Sequence, residues 1–480
     1  MKPCLTFLLL LFQLNVFAQE AFKPFEVQTP AEPKGGLALL ERFIDINRRM
    51  PYSAEVAKVK GSVFVTGIVG IDGKMTNVRV ARGLQPACDR EAVRLLSLFN
   101  AWEPAQKDGK PVPMEFTYGV RFAPTRSDCT PEGMTTYYDA EGQQVSDEAT
   151  AQLRLFIPVD SLGYPTGNPV FTRKKGGSWK TANERFVLSR KDYIRYNYED
   201  PVMPDSSRVQ RLSMLNTGNQ LQGKVYTFYE SGQLYSEESY VDGKAAGTAL
   251  YFYPNGMVRK AEDQLEQGAT REWLWYPNGQ LRQVALRSFH PKPSFVLLNL
   301  WEETGKQVVK DGNGACQLTG RLGELGWITE TGHVAEGLRD SVWAGFTAGG
   351  KPFYREAWDN GRFLSGVSYG ANGDSLVYNE PEQQPEFQGG QQAMYQFMSQ
   401  TIRYPVELAR SRTGGRVFVS FVVCTDGSLC DYEVLRGAHP VLDEEAVRVV
   451  KAMNGKWKPG FRRGRPVRVK YSLPINFAIQ

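Results

Sequence analysis

A module of roughly a hundred residues occurs twice in this 480-residue chain, once near each end. Residues 61–65 (GSVFV) match residues 415–419 (GRVFV) at an offset of 354 (415 − 61). The offset grows by one at Trp102 and Trp457 and then holds to the end of both copies. A single insertion across so long a match indicates a duplication, so both copies should adopt the same fold.

The C-terminal copy predicts a small α+β fold. Apolar residues recur at helical spacing over 391–402 and 442–453, and they alternate with a period of two over 417–423 and 467–477. An Asp-Gly pair at 426–427 is typical of a tight turn between two strands. The predicted order is therefore helix, hairpin, helix and final strand. The second helix would pack through an apolar stripe of Leu442, Ala446, Val449, Val450 and Met453.

The final strand of this copy has one apolar face and one wet, cationic face over residues 468–473. Pro474 cannot donate a ladder hydrogen bond, which predicts that the strand lies at the edge of its sheet. An edge strand has unpaired backbone groups, so an extended peptide can add to it as a further strand. Proline at Val469 or Tyr471 is expected to abolish such binding without unfolding the module.

Short motifs recur along residues 381–480 and, less completely, along 31–124. They are Pro385-Glu386-Phe387-Gln388-Gly389-Gly390, Tyr404-Pro405, the Asp-Gly hairpin, Asp443-Glu444-Glu445-Ala446, Trp457-x-Pro459-Gly460 and Leu473-Pro474-Ile475-x-Phe477. Together they resemble the TonB C-terminal domain, most closely its Bacteroidetes-type forms. The resemblance implies a periplasmic module whose last strand binds the TonB box, an extended peptide of TonB-dependent outer-membrane receptors. It implies these partner-binding residues: Tyr404, Pro405, Arg468, Val469, Lys470, Tyr471, Ser472 and Leu473.

The chain also departs from that family. The N-terminal copy has Met50 and Gly67 at the positions where the C-terminal copy has Tyr404 and Phe421. A packing or homodimerising role is therefore open for the N-terminal copy. Family members that transduce energy keep an uncleaved membrane helix and usually a long proline-rich spacer, and neither pattern is found here. Coupling to an inner-membrane proton-driven motor is therefore left undecided. The basic turn at 462–465 is expected to aid the encounter with an acidic partner.

Residues 1–18 are expected to be a cleavable signal peptide. Lys2 precedes an apolar stretch, and Val16-Phe17-Ala18 is typical of a cleavage site. The mature chain would then be exported to the periplasm and associate with the cell envelope.

Five cysteines follow that leader, so at least one should remain unpaired: Cys88, Cys129, Cys316, Cys424 and Cys430. A two-residue turn at 426–427 would put Cys424 and Cys430 on opposite faces of the hairpin. A disulfide between those two residues is therefore not favoured, and structural thiols are the expected state.

The middle of the chain contains a second repeat. Tyr229, Tyr253 and Tyr276 each precede a tight turn that contains glycine, and they are 24 and 23 residues apart (253 − 229, 276 − 253). Each unit predicts an aromatic-rich β-hairpin that cannot bury its face alone, so consecutive units should stack as a meander. The units resemble MORN-type repeats. That resemblance implies a scaffold or envelope-facing role, against the simpler alternative of a rigid spacer.

Catalytic and cofactor sites are not indicated by any motif. His290, His333 and His439 have no recognised catalytic neighbours and no metal-ligand spacing, and no phosphate-binding loop is found. We therefore expect no enzyme, no cofactor and no metal. A net charge of +5 gives no reason to expect a nucleic-acid partner, although residues 403–470 hold fourteen Lys or Arg against seven Asp or Glu.

The expected fold is multidomain and mainly β, with two small α+β TonB C-terminal-like domains flanking a MORN-like meander of β-hairpins. The expected boundaries are a signal peptide (1–18), linker (19–30), degenerate TonB C-terminal-like domain (31–124), irregular β-rich connector (125–222), MORN-like hairpins (223–290), degenerate hairpins (291–380) and TonB C-terminal domain (381–480). The leading hypothesis is a periplasmic protein of an outer-membrane transport system that binds receptor peptides by strand addition. The alternative is a structural cell-envelope adaptor without energy transduction.

Overall fold

The computed structural model describes residues 21–125, 128–141, 143–182, 186–197, 200–288, 294–322, 326–370, 372–410 and 413–478. The described chain is mainly β, which confirms that part of the expected fold class. The chain divides into two units with the boundary between Lys310 and Asp311, except that a short segment ending at Val202 groups with the second unit. The expected signal peptide and His290 lie outside the described residues.

The first unit begins with an α+β module. Its helices and strands are β1 (Glu32–Pro33), α1 (Leu37–Asn47), α2 (Tyr52–Val56), β2 (Gly61–Val69), β3 (Met75–Arg82), α3 (Pro86–Leu98), β4 (Trp102–Glu103), β5 (Ala105–Lys107), β6 (Lys110–Val112) and β7 (Met114–Phe122). The main sheet has the antiparallel order β3-β2-β7, and α3 lies against β2 and β3. An apolar stripe on α3 drives this packing, because Ala92, Leu95 and Leu96 are fully buried.

A six-stranded sheet follows this module. Its strands are β8 (Asp128–Thr130), β9 (Gly133–Tyr138), β10 (Gln144–Val145), β11 (Leu153–Pro158), β12 (Val170–Lys175) and β13 (Ser178–Thr181). The order β10-β9-β11-β12-β13 is antiparallel throughout, and β8 also pairs with β9. This sheet occupies the part of the chain for which the sequence predicts only irregular β structure.

An eleven-stranded antiparallel sheet completes the first unit, with its strands joined in chain order. They are β14 (Val187–Tyr196), β15 (Ser206–Leu215), β16 (Leu221–Tyr229), β17 (Leu234–Val241), β18 (Lys244–Ala245), β19 (Thr248–Phe252), β20 (Val258–Gln264), β21 (Ala269–Trp275), β22 (Leu281–Ser288), β23 (Ser294–Trp301) and β24 (Gln307–Val309). The short strand β18 pairs with β17 only. We call this sheet the repeat sheet.

The tyrosines that recur every 23 or 24 residues link consecutive units of the repeat sheet. The Tyr229 hydroxyl donates a hydrogen bond of 2.8 Å to the carbonyl of Phe252, a residue of the next repeat unit. Tyr253 and Tyr276 do the same to the Trp275 and Trp301 carbonyls, at 2.9 and 3.0 Å. Each unit is thus tied to the next by one buried or half-buried hydroxyl, which stabilises a stack of identical turns.

The second unit starts with a six-stranded antiparallel sheet in chain order and ends with the second α+β module. The sheet holds β25 (Gly314–Arg321), β26 (Trp327–Ala335), β27 (Leu338–Thr347), β28 (Pro352–Asp359), β29 (Arg362–Tyr369) and β30 (Ser375–Tyr378). The module holds β31 (Glu382–Gln383), β32 (Glu386–Phe387), α4 (Gly390–Thr401), α5 (Val406–Arg410), β33 (Gly415–Val423), β34 (Leu429–Arg436), α6 (Pro440–Ala452), β35 (Trp457–Lys458), β36 (Gly460–Arg462), β37 (Arg465–Val467) and β38 (Val469–Phe477).

The acidic residues at the start of α6 have structural roles in the second module. Asp443 accepts the Ala438 N–H at 2.9 Å, and Glu445 accepts the Arg403 N–H at 2.6 Å and the Arg448 guanidinium at 2.7 Å. In the first module, Asp89 and Glu91 make the same backbone contacts, to the N–H groups of Leu84 and Arg49. Both copies therefore use these carboxylates to fix the helix to its neighbours.

One sequence expectation about the second module is wrong: Cys424 and Cys430 form a disulfide. The Cys424 N–H donates to the Ser428 carbonyl at 2.8 Å, and Gly427 has a φ of 81°. The turn therefore contains three residues, 425–427, where two had been assumed, and Val422 pairs with Cys430. This register places both cysteines on one face of the hairpin. The other three described cysteines, Cys88, Cys129 and Cys316, are buried.

In the described part of the chain, no helix is both long and apolar enough to cross a membrane.

Candidate functional site

The candidate site is the free edge of β38 in the second module. The sheet order is β34-β33-β38, so within the described residues β38 pairs with β33 alone. Their register runs from Val423 opposite Val469 to Gly415 opposite Phe477. Leu473, Ile475 and Phe477 are buried in the module core, which confirms the predicted alternation and the edge position that Pro474 indicates.

The first module shows which backbone groups of this strand face outward. Its register is the same, since Val69 pairs with Met114, so Glu115 corresponds to Lys470. The Glu115 N–H donates away from the sheet, to a residue outside it. Because backbone groups alternate along a strand, the outward groups of β38 belong to Lys470, Ser472, Pro474 and Asn476. Lys470 and Ser472 thus present two donors and two acceptors before Pro474 interrupts the series.

This geometry corrects one prediction about proline. The N–H groups of Val469 and Tyr471 face β33, so proline there would remove ladder hydrogen bonds and damage the fold. Proline at Lys470 or Ser472 removes only an outward donor. Pro474 already occupies an outward position in the same strand.

The structure brings six of the eight predicted binding residues together and separates two. Val469 to Leu473 lie in β38, and Arg468 directly precedes the strand. The Tyr404 ring lies 6.2 Å from the Phe477 ring, and its hydroxyl donates to the Thr413 carbonyl at 2.8 Å. Phe477 is four residues beyond Leu473, or about 13 Å along the strand. Tyr404 and Pro405 therefore lie at the far end of β38, where Tyr404 packs against the strand.

The cationic side chains of the segment are already paired on the outer face of the sheet. Arg468 contacts Asp431 at 2.6 Å, and Lys470 contacts Glu433 at 3.2 Å. All four side chains are about half exposed or more, so each pair is worth less than about 1 kcal/mol. Arg468 and Lys470 can therefore exchange these partners for charged groups of a ligand at a small cost in free energy.

The basic turn between β36 and β37 is an anchor within the second unit. Arg463 donates to Glu356 at 2.8 Å and to Glu330 at 3.2 Å, and its guanidinium lies 3.6 Å from the Tyr354 ring centroid. Only 11% of its side chain is exposed. Arg339 also contacts Glu330, at 2.9 Å. The expectation that this whole turn stays free to attract a partner is therefore wrong for Arg463.

The two carboxylates compensate the charge of the buried arginines. Burial is the largest single influence on Arg463 and would lower its pKa, but Glu356, Tyr354 and Glu330 together outweigh burial and raise that pKa. Burial alone would raise the pKa of Glu330, and Arg339, Tyr354 and Arg463 together hold it below its ordinary value. The cluster is thus a compensated ion network that joins the turn to β26 and β28.

Among the described residues, no cluster of three or more His, Cys, Asp or Glu side chains is arranged to hold a metal ion.

The comparisons with known proteins fit this duplicated architecture. The model of the Gram-negative bacterial TonB protein C-terminal family matches residues 47–124 and 400–479, and the MORN repeat variant model matches residues 221–242. Two NMR solution structures of the Helicobacter pylori TonB-CTD are similar, at 22% and 25% sequence identity and a TM-score of 0.15 each. Each match covers 18% of this chain, and 92% and 78% of the solved chains. No curated protein matches this chain. The chain therefore carries two TonB C-terminal domains, with a MORN repeat of the variant type between them.

Proposed function

We propose that the C-terminal TonB domain binds extended peptides of TonB-dependent outer-membrane receptors by strand addition to β38. The observation that carries this proposal is the open edge of β38, with the outward backbone groups of Lys470 and Ser472. Backbone hydrogen bonds would supply the affinity, and Arg468 and Lys470 would exchange their partners Asp431 and Glu433 for charges on the peptide.

The eight proposed site residues have different tasks. Arg468, Lys470 and Ser472 would face the peptide with their backbones. Val469, Tyr471 and Leu473 pair with β33, and Tyr471 and Leu473 also pack on the core. Tyr404 and Pro405 act indirectly, because Tyr404 packs on Phe477 and steadies the end of the strand. The proposed binding domain spans 381–480, within a chain exported to the periplasm as part of an outer-membrane transport system.

The test is peptide titration of the full chain and of Ser472→Pro. Synthetic peptides from the N-terminal segments of outer-membrane receptors would be titrated while binding is followed by fluorescence anisotropy. Loss of the outward donor and the added ring should weaken binding by about tenfold or more, with the fold unchanged. Thr117→Pro is the matched control, since Thr117 is the equivalent of Ser472 in the other domain.

Equal affinity of Ser472→Pro and the unmodified chain would refute the assignment of β38 as the binding strand. Weakening by Thr117→Pro alone would move the site to the N-terminal domain.

A structural envelope adaptor is the second candidate, and one observation favours it. Within the first unit, the N-terminal domain packs on the turns of the repeat sheet. Arg49 donates to the Gly256 carbonyl at 2.9 Å, the Val258 N–H donates to Asn47 at 2.6 Å, and the Asn100 N–H donates to the Asn278 carbonyl at 2.8 Å. A first unit that binds the envelope without the C-terminal domain, together with no peptide binding by β38, would favour this alternative.

A further inference from the structure

The outer edge of β7 in the N-terminal domain is covered at its start by the chain's own N-terminal segment. Phe22 forms a parallel bridge to Met114. Its N–H donates to the Pro113 carbonyl at 2.9 Å, and its carbonyl accepts the Glu115 N–H at 2.8 Å. Phe22 therefore occupies the place that the first residue of an added strand would take.

Side chains on both partners reinforce this contact. Lys23 forms an ion pair with Glu115, and the Lys107 ammonium lies 4.1 Å from the Phe22 ring centroid. The segment then makes a single 3-10 turn and continues along β5, where the Gln106 N–H donates to the Thr29 carbonyl at 2.8 Å. Residues 22–29 are thus attached to this domain at both of their ends.

The other end of the same edge is also occupied. Arg48, at the end of α1, donates from Nη1 to the Arg121 carbonyl at 2.9 Å. In the C-terminal domain the residue at this position is Ile402, which has no donor in its side chain. The counterparts of Pro113 and Glu115 there are Arg468 and Lys470, and within the described residues no strand pairs outside them.

We propose that residues 22–29 are an internal strand-addition ligand that closes the β7 edge to other peptides. The edge fits an extended peptide in which an aromatic residue is followed by a basic one, because Lys107 covers the ring and Glu115 pairs with the cation. Release of the segment would expose a second strand-addition site, with that sequence preference. This closed edge belongs to the N-terminal domain, and its closure does not require that β38 binds receptor peptides.

The first measurement is hydrogen exchange of single amides in the full chain. After correction for intrinsic rates, the Glu115 amide should exchange about five- to thirtyfold more slowly than the Lys470 amide, because within the described residues only Glu115 of the two has an acceptor outside the sheet. Equal rates for the two amides would overturn the proposal.

The second measurement opens the edge and closes it again. Phe22→Ala with Lys23→Glu removes the ring and places a carboxylate against Glu115, so the protection of the Glu115 amide should fall to that of Lys470. Phe25→Ala is the matched control, since the Phe25 ring is 86% exposed in the same segment, and it should leave the protection unchanged.

A labelled synthetic peptide of residues 21–30 should then bind the opened variant and restore protection at Glu115. It should not bind the unmodified chain or Phe25→Ala. Binding to the unmodified chain as tightly as to the opened variant would show that the segment does not close the edge. No binding to the opened variant would show that β7 is not a strand-addition site.

Discussion

The two TonB C-terminal domains share one strand register and differ at the free edge of their last strand. Val69 pairs with Met114 in one domain, and Val423 pairs with Val469 in the other. The N-terminal domain uses outward groups of this edge internally, while within the described residues the C-terminal domain leaves its edge strand unpaired on that side. A duplicated ladder can therefore have its outer edge occupied by the chain itself in one copy and unpaired, within the described residues, in the other.

The cores of the two domains differ by an exchange of one aromatic side chain between sheet and helix. In the C-terminal domain, Phe421 of β33 packs against Trp457 with ring centroids 5.5 Å apart. In the N-terminal domain, Gly67 stands at the position of Phe421, and Phe99 after α3 packs against Trp102 at 5.3 Å. Phe99 also lies close to Gly279 of the repeat sheet. The exchange thus moves the aromatic ring to the side of the domain that meets the repeats.

Breaking that exchange should have the largest effect. Phe421→Gly is expected to lower the free energy of unfolding of the C-terminal domain by about 4–6 kcal/mol, through the cavity and the added backbone freedom. Adding Met453→Phe, which copies Phe99, should recover about 1–2 kcal/mol because a ring can again meet Trp457. Hydrogen exchange of the slowest β33 amides measures both changes.

Met453→Phe alone is the control, and overpacking should cost about 1–3 kcal/mol. If the double variant is less stable than Phe421→Gly, the two rings are not interchangeable and the proposed exchange is wrong.

The two domains also differ in the turn between β36 and β37, which corresponds to the turn between β5 and β6. Arg463 in the C-terminal domain stands at the position of Asp108 in the N-terminal domain, and both residues have a φ of 51°. Arg463→Ala should destabilise the second unit by about 3–5 kcal/mol, because Glu356 is almost fully buried and would lose a direct partner. Asp108→Ala in the other domain should change stability by less than about 0.5 kcal/mol. Calorimetry of both full-length variants checks the difference, and equal effects would mean that Arg463 is not an anchor.

The Cys424–Cys430 disulfide gives the third contrast. Gly70 and Thr76 stand at these positions in the N-terminal domain, yet both hairpins have the same register shifts. Replacing both cysteines with serine should therefore keep the fold and lower its stability by about 2 kcal/mol, as expected for so short a loop. Denaturant unfolding with and without reductant would detect the change in the unmodified chain, and reductant should have no effect on the double serine variant.

The sequence predicted what depends on periodic or repeated patterns. The duplication, the mainly-β composition and the edge position of β38 follow from offsets, alternation and Pro474. The disulfide was missed because one additional residue in a turn exchanges the faces of a strand, and an Asp-Gly pair does not fix the loop length. Turn geometry is thus a weaker signal than strand alternation.

The contacts that occupy the β7 edge could not be predicted from the sequence, because isolated contacts leave no periodic pattern. Phe22 makes a single bridge, and Arg48 makes one hydrogen bond to a backbone carbonyl, so neither creates a periodic pattern. The alignment of the two copies partly indicates this difference between the edges, because Ile402 stands at the position of Arg48 and its side chain has no hydrogen-bond donor. The tyrosine ladder of the repeat sheet was visible as spacing, but its hydrogen bonds to the next unit required the three-dimensional structure.

The smallest expected effect is the pH dependence of the closed edge. Hydrogen bonds from Lys23 and Thr66 hold the pKa of Glu115 below its ordinary value. A carboxylate with a lowered pKa in the folded state contributes stability that is present above its unfolded pKa of about 4.3 and lost as the pH falls through the folded value. Protection of the Glu115 amide should therefore decrease below about pH 4. Lys23→Ala should raise the Glu115 pKa in a carbon-detected NMR titration, and an unchanged pKa would show that Lys23 does not pair with Glu115 in solution.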